Sequence, residues 1–348
     1  MPVIQFQTMT DSFPYPILTK KQIILQMNDL ATLHIPFLFI INYKADQGYV
    51  IKMDDLDAGY IQFQIETPKT KPGTNGAGHI KVNEERGSLQ WNIDPLKLID
   101  YKIKFDYVQN QIHAGNSYIV NLTQPTKIKT NLSLYELYNQ SNAKYKLWIK
   151  DSLLVLSPET FVRIEGHKIS SFPMKGTIDA SVPNAVEIIL NDTKEMAEHA
   201  TIVDLIRNDL SLVADRVEVK RYRYCERIKT NRQDLIQISS EITGRLERNF
   251  RERVGNIIFT LLPAGSICGA PKAKTLQIIQ EAEGYDRGYY SGICGYFDGE
   301  NLDSGVMIRF IEQVNESMIF KSGGGITSQS ELINEYEELI QKVYVPVY

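Results

Sequence analysis

Four glutamates fall into two pairs of identical spacing. Glu195 and Glu198 are three apart in KEMAEHA, and Glu335 and Glu338 are three apart in NEYEEL. On a helix that spacing puts both carboxylates of a pair on one face. A hard divalent cation such as Mg2+, which takes oxygen ligands and keeps waters and substrate oxygens in its shell, would offset their repulsion. A solvated helix face carries the same pattern, so spacing alone leaves both readings open. No histidine and cysteine cluster competes for a transition metal. Lys175 lies in FPMKGT, between an apolar residue and Gly176-Thr177. A turn lysine, an anion clamp and a nucleophile are all open there. Glu159 follows Ser157-Pro158 and reads as a turn residue, and Arg309 is a cation within the strand-like run VMIRF. His199, beside Glu198, reads as a structural hydrogen-bonding residue. SGGGI (322–326) would let backbone N–H groups approach an anion, because glycine removes the side-chain barrier; it suits a hairpin loop equally well. GSICGAPKAKT (265–275) lacks phosphate-loop spacing, since Ala270-Pro271 falls where Lys-Ser/Thr should stand. A proline there suits a helix start, whose N-terminus could hold a carboxylate.

The elements that must position these groups are of both kinds. HIPFLFIINY reads as a buried strand and YIQFQIE (60–66) alternates as a half-buried one. The stretch 70–80, rich in Gly, Pro and Asn, reads as a loop. Residues 94–115 have helical spacing and stop at Gly115. NSYIVNLTQPTKI reads as a strand interrupted by Pro125, and SLYELYNQSN (133–142) opens as a capped helix. Residues 152–177 read as strand, turn, strand. The stretch 183–214 is helical over much of its length, and 252–262, 271–283 and 330–343 are further helices; 291–298 and 303–314 are strands. Strands and helices without regular alternation predict an α+β fold rather than a doubly wound sheet.

The totals exclude several classes. The chain has 348 residues, enough for one large domain or two, and 43% of them are hydrophobic. A formal charge of −4 gives no reason to expect nucleic acid or an anionic membrane as partner. Three scattered cysteines without a CxxC pair fit a reducing compartment, and a cytoplasmic enzyme is expected. The first residues lack a signal-peptide pattern, and the longest apolar run, IPFLFII, is too short to span a bilayer.

Read in order, seven segments form a pattern: GNSYIVNLTQ, SPETFVRIEGHKISSFPMKGT, EMAEHATIVDLIRNDLSLVA, LLPAGSICGAPKAKTLQIIQEAE, GYYSGICGYF with MIRF, and SGGGITSQSELINEYEELIQK. The pattern resembles the chorismate-binding enzymes over about residues 100–342, some two thirds of the chain. The resemblance implies two large, mostly antiparallel sheets in a sandwich, helices outside and the active site in a cleft between. It divides the chain into a divergent part of the sandwich, 1–95, and a chorismate-binding catalytic region, 96–348, in one integrated domain. It implies one Mg2+, with Glu198 and Glu338 as ligands and Glu195 and Glu335 as water-mediated partners. Tyr290, Arg309, Gly323, Gly325 and Lys342 match positions that hold the substrate carboxylates. Ser266, Gly176, Thr177 and His199 match pocket-lining positions. Glu159 matches the general acid, which must stay protonated near neutral pH; burial raises a carboxyl pKa in that direction.

Members differ in their nucleophile. Isochorismate and salicylate synthases use a lysine base at the position of Ile119, and an isoleucine deprotonates nothing. Anthranilate synthases carry alanine where this chain has Lys175. Component I of the aminodeoxychorismate synthases carries Pro-apolar-Lys-Gly-Thr, as here. The resemblance thus implies that Lys175 attacks ring carbon 2 while Glu159 protonates the departing 4-hydroxyl. Ammonia then attacks carbon 4, giving 4-amino-4-deoxychorismate for para-aminobenzoate and folate synthesis. An ordinary lysine, of pKa about 10.4, is neutral in only about one molecule in a few thousand at pH 7, so this role calls for desolvation or a nearby cation. Residues 1–60 lack an LLES-like segment, so tryptophan feedback is not expected. The chain ends soon after the family's last helix, so ammonia is expected from a separate glutaminase subunit or from free ammonium. Anthranilate synthase and an inert chorismate-binding homologue are the alternatives.

Overall fold

The structure, a computed structural model, describes residues 13–70, 89–228 and 234–346. Apart from Thr70, the loop expected at 70–80 lies outside them. Two antiparallel sheets carry the fold. In the first, the order is Leu18–Thr19, Gln47–Lys52, Phe37–Ile41, Ile293–Phe297, Leu302–Val306, Thr160–Glu165, Lys168–Ser171, Leu235–Arg245 and Met174–Asp179, with Asp215–Ile228 also on Leu235–Arg245. In the second, it is Gly269–Ala270, Ile119–Thr130, Ser317–Thr327, Phe310–Val314, Leu153–Ser157, Tyr145–Ile149 and Ile61–Gln64, with Trp91–Asp94 also on Ile119–Thr130.

Side-chain alternation explains the layering. In Phe37–Ile41, residues 37, 39 and 41 pack towards the helices Lys20–Thr32 and Val254–Leu261. Leu38 and Ile40 point the other way and share a core with Phe63, Leu147, Val155 and Phe310 of the second sheet. A strand buried on both faces reads as an unbroken apolar run. The outer face of the second sheet is covered partly by Leu134–Gln140 and partly by Leu98–His113, Lys272–Glu283 and Leu332–Gln341. The result is a two-sheet α+β sandwich with helices outside. Among the described residues no helix is long and apolar enough to cross a membrane.

Local chemistry sets the element ends. Ser133 and Glu136 form the expected capping box, with Glu136 N–H donating to Ser133 Oγ and Ser133 N–H to Glu136 Oε2. The helical stretch after 183 is two helices, Ala185–Asn191 and Thr193–Ser211, because Asp192 leaves helical geometry and caps the second through the Glu195 N–H.

Four expectations need correction. Pro125 does not interrupt its strand: Ile119–Thr130 runs through it, opposite Lys321. Among the described residues its neighbours on the other side pair only at 119–120 and 127–130, leaving a side where a missing N–H breaks no ladder. SGGGI is not a loop but part of Ser317–Thr327, with Gly323 opposite Thr123 and Gly325 opposite Asn121. Its glycines serve close packing, since a Cβ at Gly323 would lie 2.5 Å from Leu122 O. The run 303–314 is two strands in different sheets, and Arg309 stands between them rather than within one. Ile61–Gln64 is more than half-buried, with even Gln62 only 5% exposed.

Candidate active site

Two sheet-to-sheet crossings build the site. The chain leaves the second sheet at Ser157 and enters the first at Thr160, placing Glu159 in the crossing. It leaves the first sheet at Val306 and enters the second at Phe310, placing Arg309 in the return crossing. The crossings are tied together, Val306 N–H donating to Glu159 O at 3.0 Å and Leu156 N–H to Arg309 O at 3.2 Å. Arg309 has a left-handed backbone, φ 49°, a conformation that costs energy for a residue with a side chain and persists only where its surroundings impose it. Its guanidinium lies 4.6 Å from the Tyr344 ring and donates to the Tyr344 hydroxyl at 3.3 Å.

Burial pushes the Glu159 carboxyl above the usual carboxylate range; a hydrogen bond from Ser266 Oγ and the charges of Lys175, Arg309 and Lys342 oppose that rise. Three cations from three elements thus act on one carboxyl, which still holds its proton longer than an ordinary glutamate. Ser266 is held in the short turn Gly265–Ile267.

Lys175 is on Met174–Asp179, paired with Leu235–Arg245. The register slips between Lys175 and Thr177, with Gly176 at φ 77° as the extra residue. A bulge of this kind needs a residue that tolerates positive φ, and it re-aims its neighbours. Lys175 Nζ lies 3.4 Å from Glu198 Oε2. A Cβ at Gly176 would lie 3.2 Å from Glu195 Oε2, so the bulge faces the Thr193–Ser211 helix. Thr177, one residue on, is exposed.

The glycine strand joins the remaining groups. A Cβ at Gly325 would lie 3.1 Å from Ile119 Cδ1 and 3.3 Å from Lys175 Nζ. A Cβ at Gly324 would lie 3.5 Å from Glu335 Oε2 and 3.6 Å from Glu338 Oε1. The Lys175 amine thus adjoins Gly325, and the Glu335 and Glu338 carboxylates adjoin Gly324, with no side chain on the glycine strand between. Lys342 reaches Glu338 Oε1 at 2.5 Å and donates to Gly323 O at 3.1 Å. Among the described residues no three acidic, histidine or cysteine side chains gather closely enough to enclose a metal ion. Instead Glu198 and Glu338 each carry a lysine ammonium. Carboxylate oxygens are the donors Mg2+ takes, so the chemistry of these side chains suits such an ion, while two of them are paired with lysines here.

His199 is 1% exposed, with Nε2 2.7 Å from Ser240 Oγ and its ring edge-on to Tyr222. Burial, with Arg223 and Lys175 nearby, pulls its pKa down to about 4, so the ring is neutral at pH 7. Tyr290 is buried 5.9 Å from the Phe310 ring, and burial raises its hydroxyl to about 12. Three residues escaped the sequence reading. Nothing local marks Tyr344 as the partner of Arg309. Glu283 ends its helix and Arg287 lies past the Gly284 cap, so no helical spacing marks them; they form a fully buried ion pair beside the Ser266 turn.

Residues 47–347 match the family described as chorismate binding enzyme. The chain belongs to this family. It is 45% identical over 329 residues to an "Uncharacterized PabA-like protein" of Haemophilus influenzae, covering 94% of this chain and 98% of that one. It is 32% identical both to "Aminodeoxychorismate synthase component 1" of Escherichia coli, over 70% of this chain and 56% of that protein, and to "Anthranilate synthase component 1" of Archaeoglobus fulgidus, over 68% and 58%. The chain therefore spans a little over half the length of these two relatives. The fold matches a putative 2,3-dihydroxybenzoate-specific isochorismate synthase of Bacillus anthracis, with a TM-score of 0.68 at 16% identity, over 94% of this chain and 89% of that one.

Proposed function

We propose that this chorismate-binding enzyme is an aminodeoxychorismate synthase component I, adding ammonia at ring carbon 4 of chorismate. The observation that carries the reading is the placing of Lys175: its amine adjoins Gly325 beside the apolar Ile119, and its charge acts on Glu159. A lysine, an acid whose pKa burial raises and no base at position 119 favour direct attack by the amine over activation of water.

The neutral amine of Lys175 bonds to ring carbon 2. Both ring double bonds shift, the carbon 4–oxygen bond breaks, and the hydroxyl leaves as water with the Glu159 proton. Ammonia then bonds to carbon 4, and the carbon 2–nitrogen bond breaks, releasing Lys175. Glu159 recovers a proton from the new ammonium group, so chorismate and ammonia become the amino product and water. Arg309 and Lys342 bind the substrate carboxylates, the planar guanidinium by a two-pronged contact. Glu198 and Glu338, with Glu195 and Glu335 behind them, would hold Mg2+, which when bound supplies charge to fix and neutralise a carboxylate. For Lys175 to act, its ammonium must leave Glu198.

Mass spectrometry of the product from chorismate, ammonium and Mg2+ tests the reading. An amino product retaining the enolpyruvyl group is expected. Anthranilate, which has lost pyruvate, would assign the chain to the anthranilate synthases, and no product would assign it to binding alone. Adding a separate glutaminase with glutamine tests the expected ammonia donor.

A further inference from the structure

We propose that Arg287 is a positioning residue for this site, setting Ser266, the glycine strand and the Tyr290 segment in register through one buried guanidinium. The proposal rests on the amination reading given above. Arg287 and Glu283 are each about 1% exposed at the side chain and form a two-pronged ion pair, at 2.9 and 2.6 Å. The guanidinium's other N–H groups reach out of its own segment. Nη1 donates to Ile267 O at 3.0 Å, fixing the turn whose Ser266 hydroxyl donates to Glu159. Nη2 donates to Asn121 O at 2.8 Å, and Asn121 lies opposite Gly325. Glu283 accepts from the backbone N–H and hydroxyl of Thr123 at 2.8 and 2.7 Å, and Thr123 lies opposite Gly323. The Arg287 carbonyl accepts from Tyr290 N–H at 3.1 Å. The Tyr43 ring covers the guanidinium at 4.5 Å.

A lysine carries the same charge but cannot serve Glu283, Ile267 and Asn121 together, because its ammonium is a point donor rather than a fork. Stability alone does not call for this arrangement, since a buried ion pair is often replaceable by uncharged groups without loss of fold. What the fork adds is a fixed distance between the turn bearing Ser266 and the strand paired with the glycines, and a misplacement of about 1 Å costs about a hundred-fold in rate.

The test compares Arg287→Lys and the uncharged pair Arg287→Met with Glu283→Gln, in which the glutamine still accepts from Thr123. Melting, chorismate binding by calorimetry, and the pH dependence of kcat/KM with chorismate and ammonium are measured on each. We expect a folded variant with kcat/KM down by about a hundred-fold and its high-pH limb moved upward. The groups facing Glu159 are Ser266, Lys175, Arg309 and Lys342, and only the Ser266 hydrogen bond depends on the turn that Arg287 holds. A folded variant with wild-type kcat/KM and an unmoved limb would overturn the proposal. So would loss of the fold in both variants, which would make Arg287 a stability residue. Absence of turnover in the wild type would sink the amination reading instead; the positioning role then stands or falls on whether the folded variants bind chorismate more weakly.

Discussion

Two neighbouring glycines should respond in opposite ways to the same added methyl group. A Cβ at Gly323 would lie 2.5 Å from Leu122 O and 2.8 Å from Thr123 Cα, which is backbone and cannot swing aside. Overpacking of this kind costs about 1–3 kcal/mol, offset by about 0.4–1 kcal/mol because alanine restricts the unfolded chain. At Gly324 the nearest atoms stand at 3.5 Å or more and end flexible side chains, so only the gain of about 0.4–1 kcal/mol applies. Gly323→Ala should therefore be less stable than Gly324→Ala by about 1–3 kcal/mol, a gap of a few degrees in melting temperature for a chain of this size. The Gly324 methyl would face Glu335, Glu338 and Lys342, so under the proposed Mg2+ role that variant should keep its stability while binding Mg2+ more weakly. Thermal melts and metal titration by calorimetry check both parts. A Gly324→Ala protein that melts below Gly323→Ala, or that takes Mg2+ as the wild type does, would refute the reasoning.

Three further outcomes follow from the same geometry. Ser266→Ala removes a hydrogen bond that lowers the Glu159 pKa, so the acid stays protonated longer and the high-pH limb of kcat/KM should move upward; a downward move would contradict the assignment. The fold holds the Glu159 proton to higher pH than the unfolded chain does, so this group costs stability as pH rises from the ordinary carboxylate range through its raised value. Glu159→Gln should then lose turnover yet match the wild type's stability in acid and exceed it at neutral pH, by denaturant titration at both. Arg309→Lys keeps the charge but loses the fork, and the loss of one charge-assisted hydrogen bond, worth about 1.5–3 kcal/mol, should raise the KM for chorismate about ten- to a hundred-fold.

The parts of this site that are local were legible in the sequence. The glutamate pairs sit on the helices their spacing announced, and the Ser133–Glu136 capping box closes as written. The apolar run 37–41 is buried on both faces, as its composition requires. The misreadings arose where a residue's usual habit was overruled at long range. Three glycines read as a loop, yet they lie in a strand because they pair with Ile119–Thr130, and at Gly323 and Gly325 the atoms of Leu122, Thr123, Ile119 and Lys175 stand close to where a side chain would begin. Arg309 read as a strand residue because its crossing between sheets depends on which strands pair, which no local pattern records. Its contact with Tyr344 spans 35 residues and that of Lys175 with Glu198 spans 23, so neither leaves a periodic trace. The Glu283–Arg287 pair bridges a helix end and the segment past its Gly284 cap, and its burial and its bonds to Ile267 and Asn121 follow only from the tertiary fold.

The most direct test of the amination chemistry is the mass of the product that wild type and Lys175→Ala each release from chorismate, ammonium and Mg2+, with chorismate binding measured in parallel. We expect 4-amino-4-deoxychorismate from the wild type, and a variant that binds chorismate but forms almost none. Undiminished product from Lys175→Ala, or anthranilate from the wild type, would contradict a covalent role for this lysine.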